Sequence, residues 1–163
     1  MPELMTYRVG NIFDVPIGKS VVIAHIVNNA GAFGAGFAKA LAEEFPDVRR
    51  HYLANFSFCR LGDVLLRDVE ISQRDIVVAN LFAQDGLRSA TNPHPIKYSK
   101  LFEALSELAE IITEYPVSQY EVWMPRIGSG LAGGDWVLIE NIVRDTLERA
   151  GITVVVFDEP KGK

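Results

Sequence analysis

The sequence WMPRIGSGLAGGDW, residues 123–136, decides how the rest of the chain is read. It opens on the end of a strand-like run, Tyr120-Glu121-Val122-Trp123-Met124, and closes on Trp136-Val137-Leu138-Ile139-Glu140, where a helix begins. Between them lie Gly128, Gly130, Gly133 and Gly134, with Ser129 among them. Glycine loses more backbone freedom on folding than any other residue, so a loop rich in it needs left-handed backbone or brings the backbone against a ligand. N–H groups that converge at a helix N-terminus form an anion site. The stretch therefore predicts a phosphate-bearing ligand. The plainer alternative is a tight strand-to-helix turn.

A second loop of the same kind lies upstream. Residues 21–27 are nearly all apolar and rich in β-branched side chains, interrupted only by His25, which fits a strand buried on both faces. Asn28-Asn29-Ala30-Gly31-Ala32-Phe33-Gly34-Ala35-Gly36 follows it directly. Phe37, Ala40, Leu41 and Phe45 then fall at helical spacing, and Pro46 can open a further helix carrying Val48, Tyr52 and Phe56. Before all this, residues 6–9 read as a first strand stopped by Gly10.

Residues 63–69 and 76–82 read as two strands, and the short turn Ser72-Gln73-Arg74-Asp75 between them implies an antiparallel pair. The polar loop 84–95 is long enough to be a functional flap. Leu101, Leu105, Leu108 and Ile112 predict an amphipathic helix over 96–115. Trp136, Ile139, Val143 and Leu147 predict another over 136–150, with Asp135 as its N-cap and Gly151 as its stop. Residues 152–157 are the last strand, and 158–163 read as a flexible tail. Six strands interleaved with four helices predict one three-layer α/β/α domain over residues 1–163, with a central mixed sheet. Ligands of such sheets sit at the carboxyl ends of strands, so both glycine-rich loops converge on one crevice.

Composition narrows the function classes. A net charge of −5 argues against a general nucleic-acid-binding surface, but not against one anionic small molecule held by backbone amides. One cysteine, Cys59, excludes an internal disulfide and suits a reducing, cytoplasmic setting. No stretch approaches the ~20 apolar residues of a membrane span. His51 and His94 form no metal set with His25, so no metal is implied. Neither loop supplies the GxxxxGK[ST] of a P-loop. Gly128-Ser129-Gly130-Leu131-Ala132-Gly133 does match the dinucleotide fingerprint GxGxxG, with Asp158 placed where a ribose-binding acid is wanted. That fingerprint normally opens its domain, whereas here it stands in the last strand–helix–strand unit.

Gly10-Asn11-Ile12, residues 25–38, Ala79-Asn80-Leu81-Phe82 and Met124-Pro125-Arg126-Ile127-Gly128-Ser129-Gly130-Leu131 together resemble the macrodomain family. The resemblance runs from Tyr7 to Phe157. It is to the branch containing the yeast ADP-ribose 1″-phosphate phosphatase and the terminal ADP-ribose protein glycohydrolase. It implies ADP-ribose or a derivative as ligand, with no cofactor. Adenine is implied beside Asn11, where the family usually has Asp, with the Ile12 amide on the ring and Phe157 stacked on it. The pyrophosphate is implied between Gly34-Ala35-Gly36-Phe37 and Gly128-Ser129-Gly130-Leu131. Asn28 is implied near the distal ribose, an ordinary Asx-type turn being the alternative.

The resemblance thins at the catalytic residues. The Lys and Asp of the glycohydrolase branch are implied at positions held here by Leu81 and Ala132, which can neither form nor resolve a sugar adduct. His25 matches a histidine implicated in the phosphatase, though an imidazole in an apolar strand also reads as a hydrogen-bonded core residue. The leading expectation is a hydrolase that removes phosphate from ADP-ribose 1″-phosphate. The alternatives are a non-catalytic ADP-ribose reader, or an eraser that uses other residues.

Overall fold

The computed structural model describes residues 3–114 and 119–161. Six strands form a single sheet: β1 (Met5–Val9), β2 (Ser20–Asn28), β3 (Val64–Ile71), β4 (Arg74–Gln84), β5 (Glu121–Met124) and β6 (Val154–Asp158). Their order is β1-β6-β5-β2-β4-β3, parallel throughout except for the antiparallel β3–β4 pair. That pair is closed by Ser72 and Gln73, both with positive φ (49° and 63°), which matches the twist of a two-residue hairpin.

Helices cover both faces. α1 (Gly36–Glu44) and α2 (Pro46–Asn55) lie on one side; α3 (Tyr98–Thr113) and α4 (Trp136–Val143) lie on the other. The apolar run of β2 explains this layering, because its alternate residues are buried in opposite cores. Val21, Ile23 and Val27 pack with Leu41, Val48 and Tyr52, whereas Val22 and Ala24 pack with Leu101, Leu105 and Ile139. The fold is the three-layer α/β/α arrangement with a mixed sheet that the sequence predicts.

Several boundaries move. The helix expected over 136–150 is α-helical to Val143 and continues as a π turn over Arg144–Glu148, in which Arg149 N donates to Arg144 O at 2.9 Å. α3 runs over Tyr98–Thr113 rather than 96–115, and Tyr115 lies outside the described residues. Asp158, expected to begin the tail, is the last residue of β6 and pairs with Val9. Residues 162–163 of that tail also lie outside the described residues. Asp135 caps α4 as expected, its side chain accepting from Val137 N at 3.0 Å.

A register shift between β2 and β4 positions the site. Val27 pairs with Phe82 but Asn28 pairs with Gln84, so Ala83 is an extra residue on β4. A bulge of this kind bends its strand and re-aims the residues beyond it. Here Gln84 and the loop after it turn toward the end of β2.

Candidate active site

The carboxyl ends of β2, β4 and β5 open into one cavity of about 950 Å³. Its first wall is the loop between β2 and α1. Asn28 shapes this loop: its Oδ1 accepts from Ala30 N (2.9 Å), Ala32 N (3.2 Å) and the Tyr52 hydroxyl (3.0 Å), and its Nδ2 donates to Ala32 O (2.8 Å). This is the Asx-type turn, and it leaves one amide N–H of Asn28 without an acceptor among the described residues. The loop delivers Gly34 and Ala35 to the first turn of α1, where the amides of Gly36, Phe37 and Ala38 have no acceptor within the helix.

The second wall is the loop between β5 and α4. Ser129 N donates to Arg126 O, Gly133 N to Gly130 O and Gly134 N to Gly128 O, at 3.2, 3.0 and 2.7 Å. Among the described residues, the amides of Gly130, Leu131 and Ala132 find no acceptor. The two walls nearly meet, because a Cβ added at Gly36 would lie 3.3 Å from Leu131 Cδ1.

The glycines fall into two groups. A Cβ at Gly128, whose φ is +74°, would lie 2.9 Å from Ile26 Cδ1, and one at Gly134 would lie 2.7 Å from Gly128 O. Those two serve the turn itself. Gly34 and Gly130 have no left-handed backbone, and a Cβ at either would meet nothing within 4 Å. The fold does not require glycine at either position, yet both line the cavity.

The cavity's electrostatics differ from those of the chain as a whole. In a protein of net charge −5, no Asp or Glu among the described residues lines it, whereas Arg88 and Arg126 do. Arg126 is committed to Asp158, Nε to Oδ1 at 2.7 Å and Nη2 to Oδ2 at 3.0 Å. That bidentate bond holds the Asp158 carboxyl below the usual carboxylate range. Asp158 is therefore engaged with Arg126, which removes the acid that the dinucleotide reading needs.

His25 lies beside this cavity, only 2% exposed. Its ring meets Phe33 and Phe37 edge-on, with centroids 5.5 and 5.7 Å away. Its Nε2 lies 2.6 Å from Asn80 Oδ1, while Asn80 Nδ2 donates to Leu65 O at 3.1 Å. Leu65 O can only accept, so the Asn80 amide presents its oxygen to His25 and Nε2 carries the proton. Burial lowers the imidazole pKa to about 4, with the Asn80 hydrogen bond opposing the shift, so the ring is neutral at pH 7. Nδ1 is then a bare acceptor, buried and without a partner among the described residues.

No family model matches the chain. A curated protein of Lodderomyces elongisporus, the ADP-ribose 1″-phosphate phosphatase, is 30% identical over 164 residues, covering 93% of this chain and 98% of that protein. A solved macrodomain protein of Streptomyces coelicolor is 30% identical with a TM-score of 0.79, over 96% of this chain and 99% of that one. This chain belongs to the macrodomain family. A Bacteroides thetaiotaomicron protein of known structure is similar to the macrodomain as well, at 33% identity and a TM-score of 0.81, over 96% and 99% of the two chains.

The macrodomain's cavity gathers most of the residues singled out in its sequence. His25, Asn28, Gly34, Ala35, Gly36, Phe37, Gly128, Ser129, Gly130 and Leu131 all line it. Asn11, Ile12 and Phe157 do not. Asn11 Oδ1 accepts from Phe13 N at 2.9 Å, and Ile12 is buried in the core on the α1–α2 side. Phe157 belongs to that same core, tilted against Trp123 at 4.8 Å with the Arg8 guanidinium 5.4 Å from its ring. Ala132 lines the cavity but Leu81 does not, being fully buried against α3; the bulge gives the cavity Gln84 instead.

Sequence reading misses Gln84, Leu87, Arg88 and Arg126 as lining residues. The flap 84–95 is marked by its length, and Arg88 is its only Lys or Arg. That solitary positive charge is the available signal.

Proposed function

We propose that this macrodomain binds ADP-ribose in the cavity and hydrolyses ADP-ribose 1″-phosphate to ADP-ribose and inorganic phosphate. The observation that carries the reading is a cavity without carboxylates, at which Gly34 and Gly130 stand where the fold itself requires no glycine. Glycines of that kind let two rows of amides approach a diphosphate closely. The name of the Lodderomyces relative, similar over nearly its full length, supports the phosphatase step.

In that step a water oxygen bonds to phosphorus, the bond from phosphorus to the C1″ oxygen breaks, and a water proton passes to the departing oxygen. In this reading His25 Nδ1, which has no partner among the described residues, accepts a hydrogen bond from that water and orients it. With its pKa near 4 the imidazole is a weak base, so orientation rather than full proton removal is its part. The lone free thiol, Cys59, suits the cytoplasm, where we place the activity.

A second reading, a non-catalytic ADP-ribose reader, is favoured by the same weak base together with the missing carboxylate. Titration calorimetry with ADP-ribose, AMP and NAD tests the ligand, and ADP-ribose is expected to bind tightest of the three. Tighter binding of NAD would sink the reading. Release of phosphate from ADP-ribose 1″-phosphate by wild type, reduced heavily in His25→Ala with ADP-ribose affinity retained, separates hydrolase from reader.

A further inference from the structure

Two arginines line the cavity, and only one has its charge matched. Arg126 is held by Asp158, whereas Arg88 makes no ion pair and no hydrogen bond among the described residues. Arg88 stands on the flap after β4, at the opposite side of the cavity from Pro125 and Arg126 in the order of the strands. From that flap its side chain reaches the β5–α4 loop, which carries the second amide row.

Its position is built rather than incidental. A Cβ at Gly133 would lie 2.6 Å from Arg88 Nη1 and 2.7 Å from Cζ. The guanidinium thus rests on the bare backbone of the β5–α4 loop, in space that any side chain at 133 would occupy. Gly133 also has a left-handed φ of +69°. On the other side, the flap is tied to the end of β2: Asn29 Nδ2 donates to Asp85 Oδ1 at 3.0 Å and Gly86 N donates to Asn29 Oδ1 at 2.8 Å. The Gly133 backbone on one side and the Asn29 side chain on the other therefore locate a guanidinium, unpaired among the described residues, at the edge of a cavity that none of their acids lines.

We propose that Arg88 recognises the terminal phosphate of ADP-ribose 1″-phosphate, and so makes this macrodomain prefer the phosphorylated ligand to ADP-ribose itself. The inference rests on the ligand assignment above. A guanidinium matches a phosphate monoester with two parallel N–H···O bonds, a geometry that a lysine ammonium cannot reproduce. Gly133 acts through Arg88 as a positioning residue.

The test compares Arg88→Gln, Arg88→Lys and Gly133→Ala with wild type, by calorimetry with ADP-ribose and with ADP-ribose 1″-phosphate, and by phosphate release. Arg88→Gln should weaken the 1″-phosphate, in Kd or in kcat/KM, by about 10–100-fold, the range for a hydrogen bond to a charged group. Its ADP-ribose Kd and melting temperature should stay at the wild-type values. Arg88→Lys should recover part of the loss, and Gly133→Ala should reproduce the selective loss without adding to it in the double variant. Equal weakening of both ligands, or none of the 1″-phosphate, overturns the role of Arg88 while leaving ADP-ribose binding intact. Failure of wild type to bind ADP-ribose overturns the ligand assignment and this inference with it.

Discussion

Acidifying the protein from pH 7.5 to 4.5 should destabilise it through one buried ring. His25 is fully buried, and its pKa falls from the ordinary 6.5 to about 4 chiefly because burial disfavours the imidazolium. Below pH 6.5 the unfolded chain takes up a proton that the folded chain refuses. The stability associated with the neutral ring is therefore complete above pH 6.5 and is lost progressively as pH falls toward 4. The full gap is about 3 kcal/mol, and most of it is gone by pH 4.5. Urea unfolding at pH 7.5, 6.0, 5.2 and 4.5 measures it, with His25→Gln alongside. That variant can still donate to Asn80 but does not titrate. The carboxylates held low by their partners, Glu121, Glu148 and Asp158, are common to both proteins and cancel in the difference. Wild type should lose about 2–3 kcal/mol relative to His25→Gln across that range. A difference that does not change with pH would refute a neutral, desolvated His25.

The same ring sets the acid side of catalysis: any rate that needs neutral His25 should hold down to about pH 4 in the free enzyme, and an acid limb centred near 6.5 would contradict the environment described. Gly130→Glu points its side chain into open space, so its melting temperature should stay within about 2 °C of wild type. Its ADP-ribose affinity should fall at least about 100-fold from like-charge repulsion, and retained affinity would return that loop to simple turn geometry. Asp135→Ala removes the bond to Val137 N and should cost about 1 kcal/mol by urea unfolding, leaving the ligand site otherwise in place. Leu105→Ala, fully buried beneath α3, should cost about 2–5 kcal/mol in the same assay; a loss below about 1 kcal/mol would mean that α3 is not packed as described.

Periodicity and turn chemistry carry information that is local along the chain. This is why the two apolar strands, the stripe of α3 and the Asp135 cap are legible without a structure. The glycine-rich loops are legible too, since their density has no local explanation, and both loops do face one cavity. Which glycines serve the turn and which leave room for a ligand depends on atoms distant in sequence: Ile26 stands against Gly128, Arg88 against Gly133, and nothing against Gly34 or Gly130. The state of His25 is equally undecided in the sequence, because its tautomer depends on Asn80, whose orientation depends on Leu65 O across the β3–β4 pair. Phe157 and Leu81 both lie in strands, and which way each faces is not legible from position alone. A strand residue faces a core or a cleft according to register, and the extra residue at Ala83 gave the cleft Gln84. The sequence by itself determined the layers and the two loops. Only the tertiary structure decided which side chains meet across the cavity, because burial, register and charge pairing are properties of contacts between segments far apart in the chain.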